Sequence, residues 1–150
     1  MSAESGAVRA ALERHPDLTH FWRIERCEVC DGGGYCHYEA IAATEQECLA
    51  LVARVCRDQN RLCEERLAEF AALPREEQPE DPVLPDGCLA RLCVLLPDRR
   101  SWVYVRRESW YNDGRRKRSP EPSVFDVAAD LLKVQRGECK WFESDIGRLE

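Results

Sequence analysis

The chain has 150 residues, 44% of them apolar and 33% charged, and a formal net charge of −6. That is the length of one domain, able to bury roughly two thirds of its unfolded surface without covalent staples. No apolar run approaches the roughly eighteen residues of a membrane-spanning helix, and the opening Met1-Ser2-Ala3-Glu4-Ser5-Gly6 lacks the basic and apolar regions of a secretory leader. A cytoplasmic protein is therefore expected. Its nine cysteines would then serve as reduced core thiols, metal ligands or redox groups and not as a disulfide framework.

In chain order, Ser5 is positioned to cap a short helix reaching about His15, with Val8, Ala11 and Leu12 on one face and Pro16 beyond its end. Residues 19–29 and 35–43 are rich in aromatic and β-branched side chains and flank a glycine-rich stretch, which predicts an antiparallel hairpin. Thr44-Glu45-Gln46-Glu47 is a capping box that opens a long helix, and Leu49, Val52, Cys56, Cys63, Leu67 and Phe70 recur at helical spacing up to Pro74. Cys48, Cys56 and Cys63 share that face and read as core thiols. Four of the eight prolines then fall between Pro74 and Pro85, so residues 74–87 are expected to be an acidic, solvated surface linker.

Residues 88–96 and 101–111 form a second predicted hairpin around Pro97-Asp98-Arg99-Arg100. Cys88 and Cys93, at odd separation, should point to opposite faces of their strand. Ser123 would cap a last helix bearing Val124, Val127, Ala128, Leu131 and Leu132, and residues 139–142 could add a short strand. The fold expected is a single α+β domain over residues 1–150. One antiparallel sheet of two hairpins carries helices on one face, in the order αββα-ββα.

Cys27-Glu28-Val29-Cys30-Asp31-Gly32-Gly33-Gly34 reads C-x-x-C-x-G-x-G. Glycines after the second cysteine let backbone amides fold back toward thiolates, which eases their ionisation. The string resembles one repeat of the cysteine-rich zinc domain of DnaJ-type chaperones, over eight residues. That resemblance implies a zinc knuckle, of which this chain holds one copy where the family pairs several. A structural zinc takes four ligands, so Cys27 and Cys30 would need Cys36 and His37, a distant cysteine, or a second copy of the chain in a homodimer. The other readings are a plain glycine-rich turn and a thiol-disulfide pair. His37-Tyr38-Glu39 also matches the H-x-E of nucleobase deaminases, but the C-x-x-C lies upstream of it.

Charge is uneven. Residues 99–118 carry eight basic and two acidic side chains, a net of plus six, on a remainder of minus twelve. Strict alternation would put Trp102, Tyr104, Arg106, Glu108 and Trp110 on one face of the fourth strand. Together with Arg99, Arg100, Arg107, Arg115 and Arg116 they form the candidate partner-binding surface. Aromatics interleaved with arginine suit an acidic protein segment or a stacked single-stranded nucleic acid. The expected function is a non-catalytic interaction domain engaging a protein partner through this second hairpin, with one structural zinc or no cofactor. The alternatives are a single-stranded nucleic-acid binder and a thiol-disulfide enzyme.

Overall fold

A computed structural model describes the chain over residues 2–30, 33–80, 82–111, 127–137 and 145–150. Helix α1 (Ala3–Arg14) is capped three residues earlier than expected, by Ser2, whose hydroxyl accepts from Ser5 N at 3.1 Å. Ser5 is instead buried, and its hydroxyl accepts from Glu150 N. Strands β1 (His20–Cys30) and β2 (Gly33–Ala42) form the first hairpin. Helix α2 (Glu45–Ala71) starts at the predicted capping box: Thr44 accepts from Glu47 N at 3.1 Å and Glu47 accepts from Ala43 N at 3.0 Å. Strands β3 (Leu84–Leu95) and β4 (Ser101–Tyr111) make the second hairpin, followed by helix α3 (Val127–Gln135) and strand β5 (Ile146–Arg148).

The fold is α+β, with an antiparallel sheet. Among the described residues the strand order is β2-β1-β3-β4-β5, so the two hairpins join through β1 and β3. The long helix α2 packs Cys48, Val52, Val55 and Cys56 on Trp22, Ile24, Ala90, Leu92 and Trp110. Val127 of α3 rests against the same core. Helix α1 covers part of the other face, setting Val8 and Ala11 against Phe21, Cys93 and Trp102. Cys88 and Cys93 lie in these two separate cores, as their odd spacing requires. Past Cys63, α2 buries no residue, so Leu67 lies exposed where the periodic stripe had put it inside.

Three one-residue bulges shape the sheet. The pairing slips at Ile24/Glu25 against β2, at Cys27/Glu28 against β3, and at Leu92/Cys93 against β4. The second slip, at Asp86, is made possible by Gly87, whose φ of 149° suits a residue without a Cβ. Beyond it Pro85 and Leu84 resume pairing with Glu28 and Val29, so β3 starts four residues before the predicted strand, inside the expected linker. A turn of 3-10 helix, Arg75–Glu77, occupies the linker's exposed part. The short final strand forms at Ile146–Arg148; the expected strand at 139–142 and the Ser123 cap lie outside the described residues. No helix among the described residues is long and apolar enough to cross a membrane.

Candidate functional site

The third bulge decides the chemistry of β4. Tyr104 pairs with Cys93 and Arg106 with Leu92, which leaves Val105 as the extra residue. One extra residue reverses the alternation. Trp102 and Tyr104 therefore face α1, while Arg106, Glu108 and Trp110 face α2 and α3, and the single aromatic-arginine face expected from the sequence is split between two sides.

Both indoles are consumed by packing. Trp102 is 2% exposed in the α1-side core and stacks edge-on with Phe21 at 5.4 Å, while Trp110 is 8% exposed in the α2-side core. Neither is available as a stacking platform. Arg106 is an ion-pair partner of the buried Asp130 on α3, Nε to Oδ2 3.1 Å. Arg99, at a left-handed φ of 57°, donates to the carbonyls of Pro16 and Leu18 at 2.7 and 3.0 Å and so ties the β3–β4 turn to the loop after α1. Arg100 is exposed in that turn, its backbone N–H donating to the Asp98 carboxylate. Arg115 and Arg116 lie outside the described residues.

A different basic array emerges on the α1-side face. Arg23, Arg91 and Arg107 are in direct register across β1, β3 and β4. Glu25, 3% exposed, bridges the first two, with Arg23 Nη1 at 3.2 Å and Arg91 Nε at 2.6 Å. Glu4 from α1 reaches Arg23 Nε at 3.1 Å and accepts from the Tyr104 hydroxyl at 3.4 Å. Arg23 lies over the Tyr38 ring and Arg91 over the Tyr104 ring, at 5.8 and 5.9 Å. Like charges directly opposite on neighbouring strands repel. Glu25 relieves that repulsion between Arg23 and Arg91, but no described carboxylate pairs with the exposed Arg107. Arg107 sits at a cleft of about 260 Å³ with Arg91, Tyr104, Val105, Arg106 and one carboxylate, Asp145.

The cysteine motif lies in the first hairpin. Both cysteines lie within β1, and Cys30 pairs with Gly33; its side chain is outside the described residues. Cys27 is directly opposite Cys36, with Sγ to Sγ 2.6 Å. Burial, then the hydrogen bond to Cys36, holds the Cys27 thiol well above its ordinary value. His37 follows Cys36 along the strand and pairs with Arg26, so it belongs to the other face of the sheet. Cys27 and Cys36 are brought together, and His37 is not. No group of three or more His, Cys, Asp and Glu converges on a metal position among the described residues.

Two features were missed in the sequence. Gln59, buried on α2, donates through Nε2 to Cys27 O at 2.8 Å and Gly87 O at 3.2 Å, clasping β1 and β3 at their bulge. Cys56 of α2 and Cys88 of β3 form a second thiol pair beneath the sheet. The hydrogen bond from Cys88 lowers the Cys56 thiol, while that bond and burial raise Cys88. No protein-family model, no curated protein and no solved structure matches the chain.

Proposed function

We propose that the chain is a non-catalytic binding domain that engages an acidic segment of a protein partner at the Arg107 cleft. The observation that carries this is the register: Arg107 faces Arg91 across β3 and β4 with no carboxylate of its own among the described residues. An incoming carboxylate would relieve a repulsion already present, and guanidinium forks donate to carboxylates in a bidentate geometry. Tyr104, half-buried beside Arg91, supplies an aromatic wall. The acidic remainder of the surface would repel an acidic partner elsewhere and so favour one orientation.

The test is fluorescence anisotropy with a labelled oligoglutamate peptide and, separately, a labelled single-stranded oligonucleotide. Arg107→Glu should weaken peptide binding at least about tenfold, which is about 1.4 kcal/mol, without altering the far-ultraviolet spectrum. Unchanged peptide affinity in Arg107→Glu removes the proposal. Tight, salt-dependent binding of the oligonucleotide alone would instead favour a phosphate-reading surface.

A further inference from the structure

We propose that Cys27 and Cys36 close a reversible disulfide across the first hairpin, with Cys36 as the sulfur that receives the oxidant and Cys27 as the one that resolves it. Four observations converge on this pair. The residues are directly opposed in the β1–β2 register, and directly opposed antiparallel residues have Cα atoms about 4.5–5.5 Å apart, inside the span a disulfide bridges. Their sulfurs already touch, at 2.6 Å. Cys36 is exposed, whereas Cys27, Cys48, Cys56, Cys63, Cys88 and Cys93 are all buried. The backbones differ too: β1 is held between two strands and clasped by Gln59 at the Cys27 carbonyl, whereas β2 is the outer strand of the sheet among the described residues. A fixed strand and an adjustable neighbour allow the small approach that bonding requires.

The oxidant assigned is a low-molecular-weight disulfide of the glutathione type. The Cys36 thiolate attacks one sulfur of that disulfide, breaks its S–S bond and releases one small thiolate, leaving a mixed disulfide on Cys36. Cys27 then loses its proton, and its sulfur attacks the Cys36 sulfur, breaking the mixed disulfide and releasing the second small thiolate. The two protein protons end on the two released thiols. Two protein thiols are oxidised and one small disulfide is reduced to two thiols. Burial of Cys27 keeps it protonated and inert toward the oxidant until the mixed disulfide is within reach. Cys56 and Cys88, both buried, have no such route from solvent. The pair is independent of Arg107 and stands whether or not that residue binds a partner.

The full-length protein is equilibrated with graded mixtures of oxidised and reduced glutathione, acid-quenched, alkylated, and digested with chymotrypsin and a glutamate-specific protease together. Cleavage after Glu28, Tyr35 and Tyr38 places Cys27, Cys30 and Cys36 on separate peptides. The expected product joins the Cys27 and Cys36 peptides with the loss of two hydrogens. Alkylatable thiols fall by two, and reduced glutathione restores both. Cys30→Ser should give the same link, and Cys27→Ser should stop at glutathione on Cys36. The wild-type and Cys30→Ser results decide the matter even where Cys27→Ser folds poorly. Glutathione persisting on Cys36 of the wild type, a Cys30–Cys36 link, or full alkylation in the most oxidising mixture would each overturn the proposal.

Discussion

Replacing Gln59 by methionine tests how the two hairpins are joined. Methionine keeps the length and nearly the volume of the buried side chain but donates no hydrogen bond. The substitution therefore removes the 2.8 Å bond to Cys27 O and the 3.2 Å bond to Gly87 O without opening a large cavity. An intramolecular hydrogen bond is worth about 0.5–1.5 kcal/mol net, and a buried group left without its partner costs about 1–3 kcal/mol. Two carbonyls, one bonded at the longer distance, give a loss of about 2–4 kcal/mol. At this chain length each kcal/mol moves Tm by about 2–4 °C, so a drop of roughly 4–16 °C is expected by calorimetry. Urea unfolding should report the same loss with an unchanged slope. A Gln59→Met protein within about 0.5 kcal/mol of wild type would mean that surface-like substitutions describe this site and that the clasp contributes nothing.

Other perturbations follow from single contacts. Gly147→Ala should destabilise by about 1–3 kcal/mol, because a Cβ there would land inside the indole of Trp102 and the buried ring has nowhere to retreat; thermal unfolding measures it. Arg106→Met should cost about 2–3 kcal/mol in urea unfolding. Breaking a fully buried ion pair costs more, about 3–5 kcal/mol, and Arg106 is 37% exposed while Asp130 is sealed. Glu39 is held below the ordinary carboxylate range, chiefly by its hydrogen bonds from Arg26. A depressed carboxylate stabilises above its unfolded pKa of about 4.3 and stops doing so as pH falls through its folded value. Glu39→Gln should therefore be less stable than wild type at pH 7, with the gap closing as the unfolding series is carried to acid. A gap constant with pH would remove the charge from the explanation.

Elements set by local chemistry were legible from the residues alone. The Thr44–Glu47 box opens α2, the Pro97–Arg100 stretch turns the second hairpin, and the opposite placement of Cys88 and Cys93 follows from strand geometry. What escaped depends on pairing between distant residues. A bulge inserts a single residue, here Val105, and nothing in the alternation of β4 announces it, yet it sends Trp102 and Trp110 into different cores. The early start of β3 likewise rests on Gly87 adopting a backbone shape that its neighbours cannot. The Cys27–Cys36 pair did have a signal. Asp31-Gly32 is a dipeptide that two-residue hairpin loops favour, and counting outward from it sets Cys27 opposite Cys36. The C-x-x-C spacing drew attention to Cys30 instead, because sequence motifs register neighbours along the chain and not across a sheet. Arg107 could not be singled out among the basic residues of 99–118 until the register set it opposite Arg91 and the ion pairs joined Arg91 to Glu25 and Arg106 to Asp130.

The binding surface is tested most directly by observing the arginine Nε–Hε signals in a nitrogen-15 NMR titration with the oligoglutamate peptide. The Arg107 signal should move farthest, with Arg91 next, and the Arg91 shift should vanish in Arg107→Glu. Shifts confined to Arg115 and its basic neighbours, with Arg107 stationary at saturation, would place the acidic partner elsewhere and contradict the assignment.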